Sequence, residues 1–395
     1  MPGHDARTTS LTADLPQRAS VVVVGGGVMG VSTAFHLAEA GVRNVLLLDR
    51  GSFGAGSTCR AAGGVRAMFS DEVNIRLGAR SLEAFARLGE RPGQEIDLHR
   101  VGYLFLLDRP EHVRAMTEAV ALQHALGVPS RMVDPDEAQR LSPLISTDGL
   151  LAAAWSPDDG HCTPEAVVLG YATAARRLGA TLVPHCAVTD VLVRDGAVNA
   201  VVTERGTVAT GTVVCAAGPW SGQVAAMAGV DLPVTPLRRQ VVVTEPVPDL
   251  PAGLPMTIDF ATSFYFHGEG RGLLMGMSDP DEQPGFSVER SDAWLPRLAD
   301  AVEHRAPALA GVGLASGWAG LYEMTPDHNA VIGECDEVGR FLYATGFSGH
   351  GFLMGPAVGE VVRDLVLRRQ PPVDVSALSV ERFATRSLRP ETNVV

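Results

Sequence analysis

Four consecutive β-branched residues, Val21-Val22-Val23-Val24, open the readable pattern just after Ala19. An all-apolar run this short, without alternation, predicts a strand buried on both faces of a parallel sheet. Gly25-Gly26-Gly27-Val28-Met29-Gly30 follows at once, and Val31, Ala34, Phe35, Leu37 and Ala38 then recur at helical spacing until Gly41, a suitable C-terminal cap. Asn44 to Leu48 is a second apolar strand, closing on Asp49. Further on, Pro164 to Gly179 reads as a helix, and Thr181 to Val193 and Val208 to Ala216 as strands that rejoin the first unit. Residues 93–154 and 231–320 carry alternating segments, such as Val101–Leu107 and Gln240–Thr244, and predict a second, largely antiparallel sheet. Near the end, Phe341 to Thr345 reads as a strand, Gly346 to Gly351 as a loop, and Pro356 to Arg369 as a helix with proline early in its first turn. The class is α/β.

The opening unit has chemical content. Gly25 permits a tight turn, Gly27 lets backbone N–H groups approach a pyrophosphate, and Gly30 lets the helix pack on the strand. The helix N-terminus, with Val28 and Met29, offers unpaired N–H groups and partial positive charge to an anion. Asp49 is placed to accept hydrogen bonds from a ribose hydroxyl. The unit predicts a dinucleotide and does not separate NAD from FAD. An NAD dehydrogenase would run into its next strand–helix unit. Here the small, hydroxyl-bearing stretch from Arg50 to Gly64 follows, with Gly56, Ser57, Thr58, Arg60, Ala61, Ala62 and Gly63, and it serves either to wrap a long ligand or as an ordinary loop.

Composition narrows the classes. The chain has 395 residues, 46% hydrophobic and 19% charged, with a net charge of −13. It is long enough for two to three packed domains without disulfide staples, and its acidity argues against nucleic acid or an anionic membrane as partner. All of its basic residues are arginine. Schiff-base lysine chemistry and a Walker-type lysine are therefore excluded. Cys59, Cys162, Cys186, Cys215 and Cys335 contain no C-x-x-C pair and are expected to be reduced thiols of a cytoplasmic protein. Residues 1–20 lack the apolar core of a signal peptide, and no apolar stretch is long enough to span a membrane. That segment and the chain after Gln370 are expected to be mobile arms.

Gly25 to Gly30, Gly56-Ser57-Thr58 with Ala61-Ala62-Gly63-Gly64, and the late Gly346-Phe347-Ser348-Gly349-His350-Gly351-Phe352 resemble the D-amino acid oxidase superfamily. Arg66 to Phe85 and the run Trp318 to Asp327 are most similar to sarcosine oxidase β-subunits and glycine oxidase-like proteins. The likeness covers roughly residues 19 to 370. It implies a discontinuous Rossmann-type FAD-binding domain (19–92, 155–230 and 321–372) interleaved with a substrate domain of antiparallel sheet and helices (93–154 and 231–320). It also implies that Val188 contacts adenine through its backbone and that Ala217, Gly218, Pro219 and Trp220 close the cofactor domain. The implied reaction is oxidation of an amine or amino acid to the imine, with a hydride passing to flavin N5 and O2 or an electron-transfer partner as acceptor. Donors from Gly349 to Leu353, with His350, would meet the negative charge that a flavin develops near N1. Relatives that tether the flavin do so through a Cys where this chain has Gly320, or a His where it has Arg60, so non-covalent FAD is expected. Relatives with an oxygen-activating lysine have no counterpart here. Leu353 holds one lysine position, and a protonated His350 would have to supply the charge.

Substrate residues are less determined. Arg66 follows the Gly63-Gly64 turn, where relatives hold a carboxylate, and its planar fork suits one. Tyr265 and His267 share one face of a strand, either roofing the flavin or packing as a tyrosine and an edge histidine. Tyr322 and His328 flank the Thr325-Pro326-Asp327 turn. Arg238 and Arg239 begin a strand, meeting the flavin edge or capping the sheet. A flavin monooxygenase and an electron-relay subunit of a larger complex share the opening fingerprint and remain alternatives.

Overall fold

The computed structural model describes residues 15–393. Two large sheets organise it. The first has six strands in the order Val331–Glu334, Phe341–Thr345, Val213–Cys215, Val21–Val24, Val45–Leu48 and Thr181–Val183. Its pairs are parallel except the first, with Val22 opposite Leu46 on one side and Val213 on the other.

The unbroken valine run follows from burial on both faces. Val21, Val23, Val45 and Leu47 pack in one core with the helices Val28–Glu39, Pro164–Arg177 and Gly351–Val366. Val22, Val24, Leu46 and Leu48 pack in another with Val191, Val198, Val201 and Val208. Those four valines belong to a three-stranded antiparallel sheet of Val188–Arg194, Ala197–Thr203 and Gly206–Ala209.

The second sheet has eight strands in the order Leu314–Met324, Thr235–Thr244, Gly272–Met277, Phe264–Glu269, Met256–Asp259, Tyr103–Leu107, Ala152–Ser156 and Arg131–Val133. It is antiparallel apart from the pair Tyr103–Leu107 with Met256–Asp259. Leu314–Met324 belongs to it along its whole length, past position 320.

Four expectations are corrected. Thr181 to Val193 is two strands in different sheets, because His185 takes a left-handed φ of +51° and breaks the run. Val208 to Ala216 is likewise divided, by a turn in which Thr210 Oγ1 donates to the Thr212 carbonyl at 3.0 Å. The last long helix begins at Gly351, so Pro356 lies inside it and removes only one internal hydrogen bond. The chain after Gln370 is packed down. Buried Arg382 forms an ion pair with buried Asp327 at 2.8 Å, and Glu391 and Asn393 are both 2% exposed. At the other end, residues 1–14 lie outside the described residues, while Gln17 and Ala19 are fixed by backbone hydrogen bonds to Ala209.

Candidate cofactor and substrate site

A cavity of about 480 Å³ lies between the two large sheets. One end is built by the opening unit. Gly25 adopts φ +109°, and a Cβ there would collide with the Ala216 carbonyl. A Cβ on Gly30 would collide with the Gly25 carbonyl, so Gly30 serves helix–strand packing and does not reach the cavity. Asp49 Oδ2 accepts from Gly26 N and Oδ1 from Gly51 N, both at 2.6 Å. It therefore pins the glycine turn while facing the cavity, and its two oxygens keep lone pairs for a further donor. Burial raises its pKa, and the two amides offset only part of that rise. Val28 N donates to Thr58 Oγ1 at 3.1 Å, which ties the helix start to the following loop.

That loop docks on the second sheet. Ser57 Oγ donates to the Leu321 carbonyl at 2.6 Å, Arg60 Nη1 to the Ala319 carbonyl at 2.7 Å, and Trp318 Nε1 to the Arg60 carbonyl at 2.9 Å. Gly27, Val28, Met29, Arg50, Gly56, Ser57, Thr58, Arg60, Ala61, Ala62 and Gly63 line the cavity, as do Val188, Ala217, Gly218 and Trp220. The Arg50 guanidinium lies 3.9 Å from the centre of the Trp220 ring. From the far side come Gly349, His350, Gly351, Phe352 and Leu353. Gly346 is not in the wall; its φ of +73° places it against Thr325.

At the other end Arg66, Tyr265, Tyr322 and Arg239 line the wall, as the sequence suggests, joined by Tyr103. Tyr103, Tyr265 and Tyr322 each sit where a Cβ on Gly64, Gly276 or Gly349 would collide with the ring or its hydroxyl. Burial raises the pKa of all three phenols, so they remain neutral donors. Tyr103 escaped the sequence reading because it belongs to a strand unremarkable on its own. Its one clue was a place in the Val101–Leu107 alternation.

His267 does not line the cavity. Its ring nitrogens lie 2.8 and 3.0 Å from the carbonyl oxygens of Gly268 and Ala62, so it braces the loop from behind. His328 and Arg238 also lie outside the wall, the latter paired with Glu282 at 2.9 Å.

Three groups bear on the electrostatics of this end of the cavity. Arg66 is 4% exposed, and its Nη1 and Nη2 donate to the backbone carbonyls of Met68 and Asn393. Its guanidinium lies 4.1 Å from the Phe69 ring centre, and no carboxylate of the described residues lies within the 4.0 Å of an ion pair. Arg239 has a buried Nε with no partner. His350 is 3% exposed with both ring nitrogens unpartnered, and burial, then Arg66, pushes its pKa down to about 3. His350 is therefore neutral and cannot supply the positive charge that the sequence allowed for it. A long cofactor that brings acceptors to these donors fits this set, with pyrophosphate at the glycine turn, ribose at Asp49 and a ring system before Gly349–Leu353.

Asp159, beside Arg66 in sequence-distant contact through Ala67 N (3.1 Å), is fully buried, and burial raises its pKa from 3.8 to about 7. Because the folded value exceeds the unfolded one, this group's contribution to stability is complete below pH 3.8 and is lost as pH rises through about 7. Asp159→Asn should raise the melting temperature relative to the parent chain at about pH 8 and lose that advantage at about pH 4. An equal shift at both pH values, by calorimetry, would refute the assignment.

A family model described as FAD dependent oxidoreductase (DAO) matches residues 20–365. Dimethylglycine dehydrogenase, mitochondrial, of Rattus norvegicus is 32% identical over 386 residues, covering 93% of this chain and 45% of that protein. The chain thus spans less than half the length of that relative. Among solved structures, L-proline dehydrogenase from P. horikoshii is 33% identical with a TM-score of 0.89, covering 95% of this chain and 100% of that one. Glycine oxidase from Geobacillus kaustophilus is 27% identical with a TM-score of 0.82, covering 93% and 99%.

Proposed function

The chain belongs to the FAD dependent oxidoreductase (DAO) family, and from that premise we propose that it oxidises an amine that carries a carboxylate. The observation that carries the reading is Arg66, a buried guanidinium in the cavity wall whose bonds go to carbonyls, with no carboxylate of the described residues within ion-pair distance. A buried charge of this kind is stabilised by an anionic ligand, and the planar fork suits a carboxylate. The names of the similar proteins, which act on dimethylglycine, proline and glycine, agree with that chemistry.

Gly25, Gly27, Val28, Asp49, Ser57, Thr58, Arg60–Ala62, Val188 and Gly349–Leu353 would hold FAD, which accepts the two electrons lost by the substrate carbon. Arg66 holds the carboxylate. Tyr103, Tyr265 and Tyr322 exclude water around the amine, which favours its neutral form. Neutral His350 offers a hydrogen bond to whichever ligand lies before it. Among the described residues no helix is long and apolar enough to cross a membrane, and the five cysteines are free.

Incubating the FAD-loaded chain with N-methyl, cyclic and D-amino acids, with O2 or an artificial acceptor, tests the reading by its products. Aldehyde or oxo acid should form from carboxylate-bearing amines. NADPH consumption without amine turnover would instead indicate a monooxygenase.

The cofactor is proposed to be held without a covalent bond. Gly320 faces Arg60 so closely that a Cβ there would lie 3.0 Å from Arg60 Cβ, and neither residue can form a tether. Acid precipitation should leave the yellow colour in the supernatant. Colour in the pellet, with a flavin-shifted peptide mass, would contradict this.

A further inference from the structure

Resting on the carboxylate reading of Arg66, we infer that Arg389–Asn393 is a strap whose anchor, Glu391, positions the Arg66 guanidinium for its ligand. Asn393 donates no side-chain atom to Arg66; its backbone carbonyl accepts from Nη2 across 327 positions of sequence. That carbonyl is placed by Glu391. The Glu391 carboxylate, 2% exposed, accepts from Ser70 N at 2.9 Å, Ser70 Oγ at 2.6 Å, Asp71 N at 3.1 Å and Asn74 Nδ2 at 2.9 Å. It also accepts from Asn393 N at 2.9 Å, which turns the strap back toward Arg66. Arg389 pairs with Asp71 at 2.8 Å, and Glu391 N donates to the Asp327 carbonyl at 3.1 Å, so the strap is fixed before and at its anchor.

The arrangement has a consistent electrostatic logic. Asp71 caps the helix Glu72–Ala86, and Glu391 sits at that helix start, where a negative charge is favoured. Its oxygens are committed to neutral donors and stay beyond ion-pair distance of Arg66. The strap thus gives Arg66 a carbonyl, which orients the guanidinium plane, and withholds a carboxylate, which would neutralise it. Of the five N–H donors on an arginine, those not taken by Met68 and Asn393 remain for a ligand. Glu391 is a positioning residue, acting on the ligand through Arg66.

Acetate, with acetamide as its neutral counterpart, probes this independently of the true substrate. Binding to the FAD-loaded chain is read from the perturbed visible spectrum. Arg66→Lys should weaken acetate, and Glu391→Ala should weaken it about tenfold, with Glu391→Gln in between. Acetamide binding should change less than about twofold in either Glu391 variant, and Glu391→Ala should add nothing in an Arg66→Lys background. Unchanged acetate affinity, or equal losses for acetate and acetamide, would overturn the strap inference. If Glu391→Ala does not fold, Glu391→Gln and its double variant with Arg66→Lys decide the matter by the same criteria. Should Arg66→Lys itself leave acetate binding untouched, the carboxylate reading fails as well; if only the Glu391 variants are silent, the strap alone does.

Discussion

Replacing Asp49 by alanine is expected to weaken FAD binding by roughly two orders of magnitude or more, since hydrogen bonds to a charged group are worth about 1.5–3 kcal/mol each. Asp49 acts twice. It accepts from Gly26 and Gly51 and so holds the glycine turn in shape, and it faces the cavity where a ribose would lie. Losing the carboxylate strips two amides of their acceptor and removes the acceptor for the ribose. Asp49→Asn, which keeps one acceptor oxygen, should recover part of the affinity. The core does not depend on this side chain, so the apo variant should remain folded by circular dichroism. Equilibrium dialysis that returns the parent affinity would show that Asp49 does not hold the ribose.

Arg66→Lys should raise KM for the carboxylate-bearing substrate by about tenfold or more, with a smaller change in kcat. An ammonium cannot satisfy the carbonyls of Met68 and Asn393 and also present two parallel donors to a ligand. It also loses the contact with the Phe69 ring. If the kinetics stay at parent values, the substrate does not bind through Arg66.

Legibility in the sequence followed the range of the interactions. The opening unit could be read because everything it needs lies within 21–49, and its all-valine strand already implied burial on both faces. Arg66 was reachable through its place after a glycine turn. Arg239 was reachable as the start of a strand, whereas Tyr103 reaches the same cavity from a strand distant in sequence that only the Val101–Leu107 alternation marks. Alternation correctly put Tyr265 and His267 on one side of a strand, but the cavity ends before His267, which the loop carbonyl of Ala62 occupies. Pro356 misled as a helix start because proline also fits a second turn at the loss of one hydrogen bond. The packed tail was invisible for a simpler reason: the partners of Glu391 and Arg382 lie hundreds or tens of positions away, and its polar composition looks like that of a free end.

Anaerobic mixing of the FAD-loaded chain with matched pairs of amines, each amino acid beside its methyl ester, tests the central claim most directly. Loss of the visible flavin absorbance should occur with the acid of at least one pair. Its half-saturating concentration should be at least about tenfold lower than the ester's, and that preference should vanish in Arg66→Lys. Equal response to acid and ester in the parent chain, or bleaching by none of the amines, would contradict oxidation of a carboxylate-bearing amine held by Arg66.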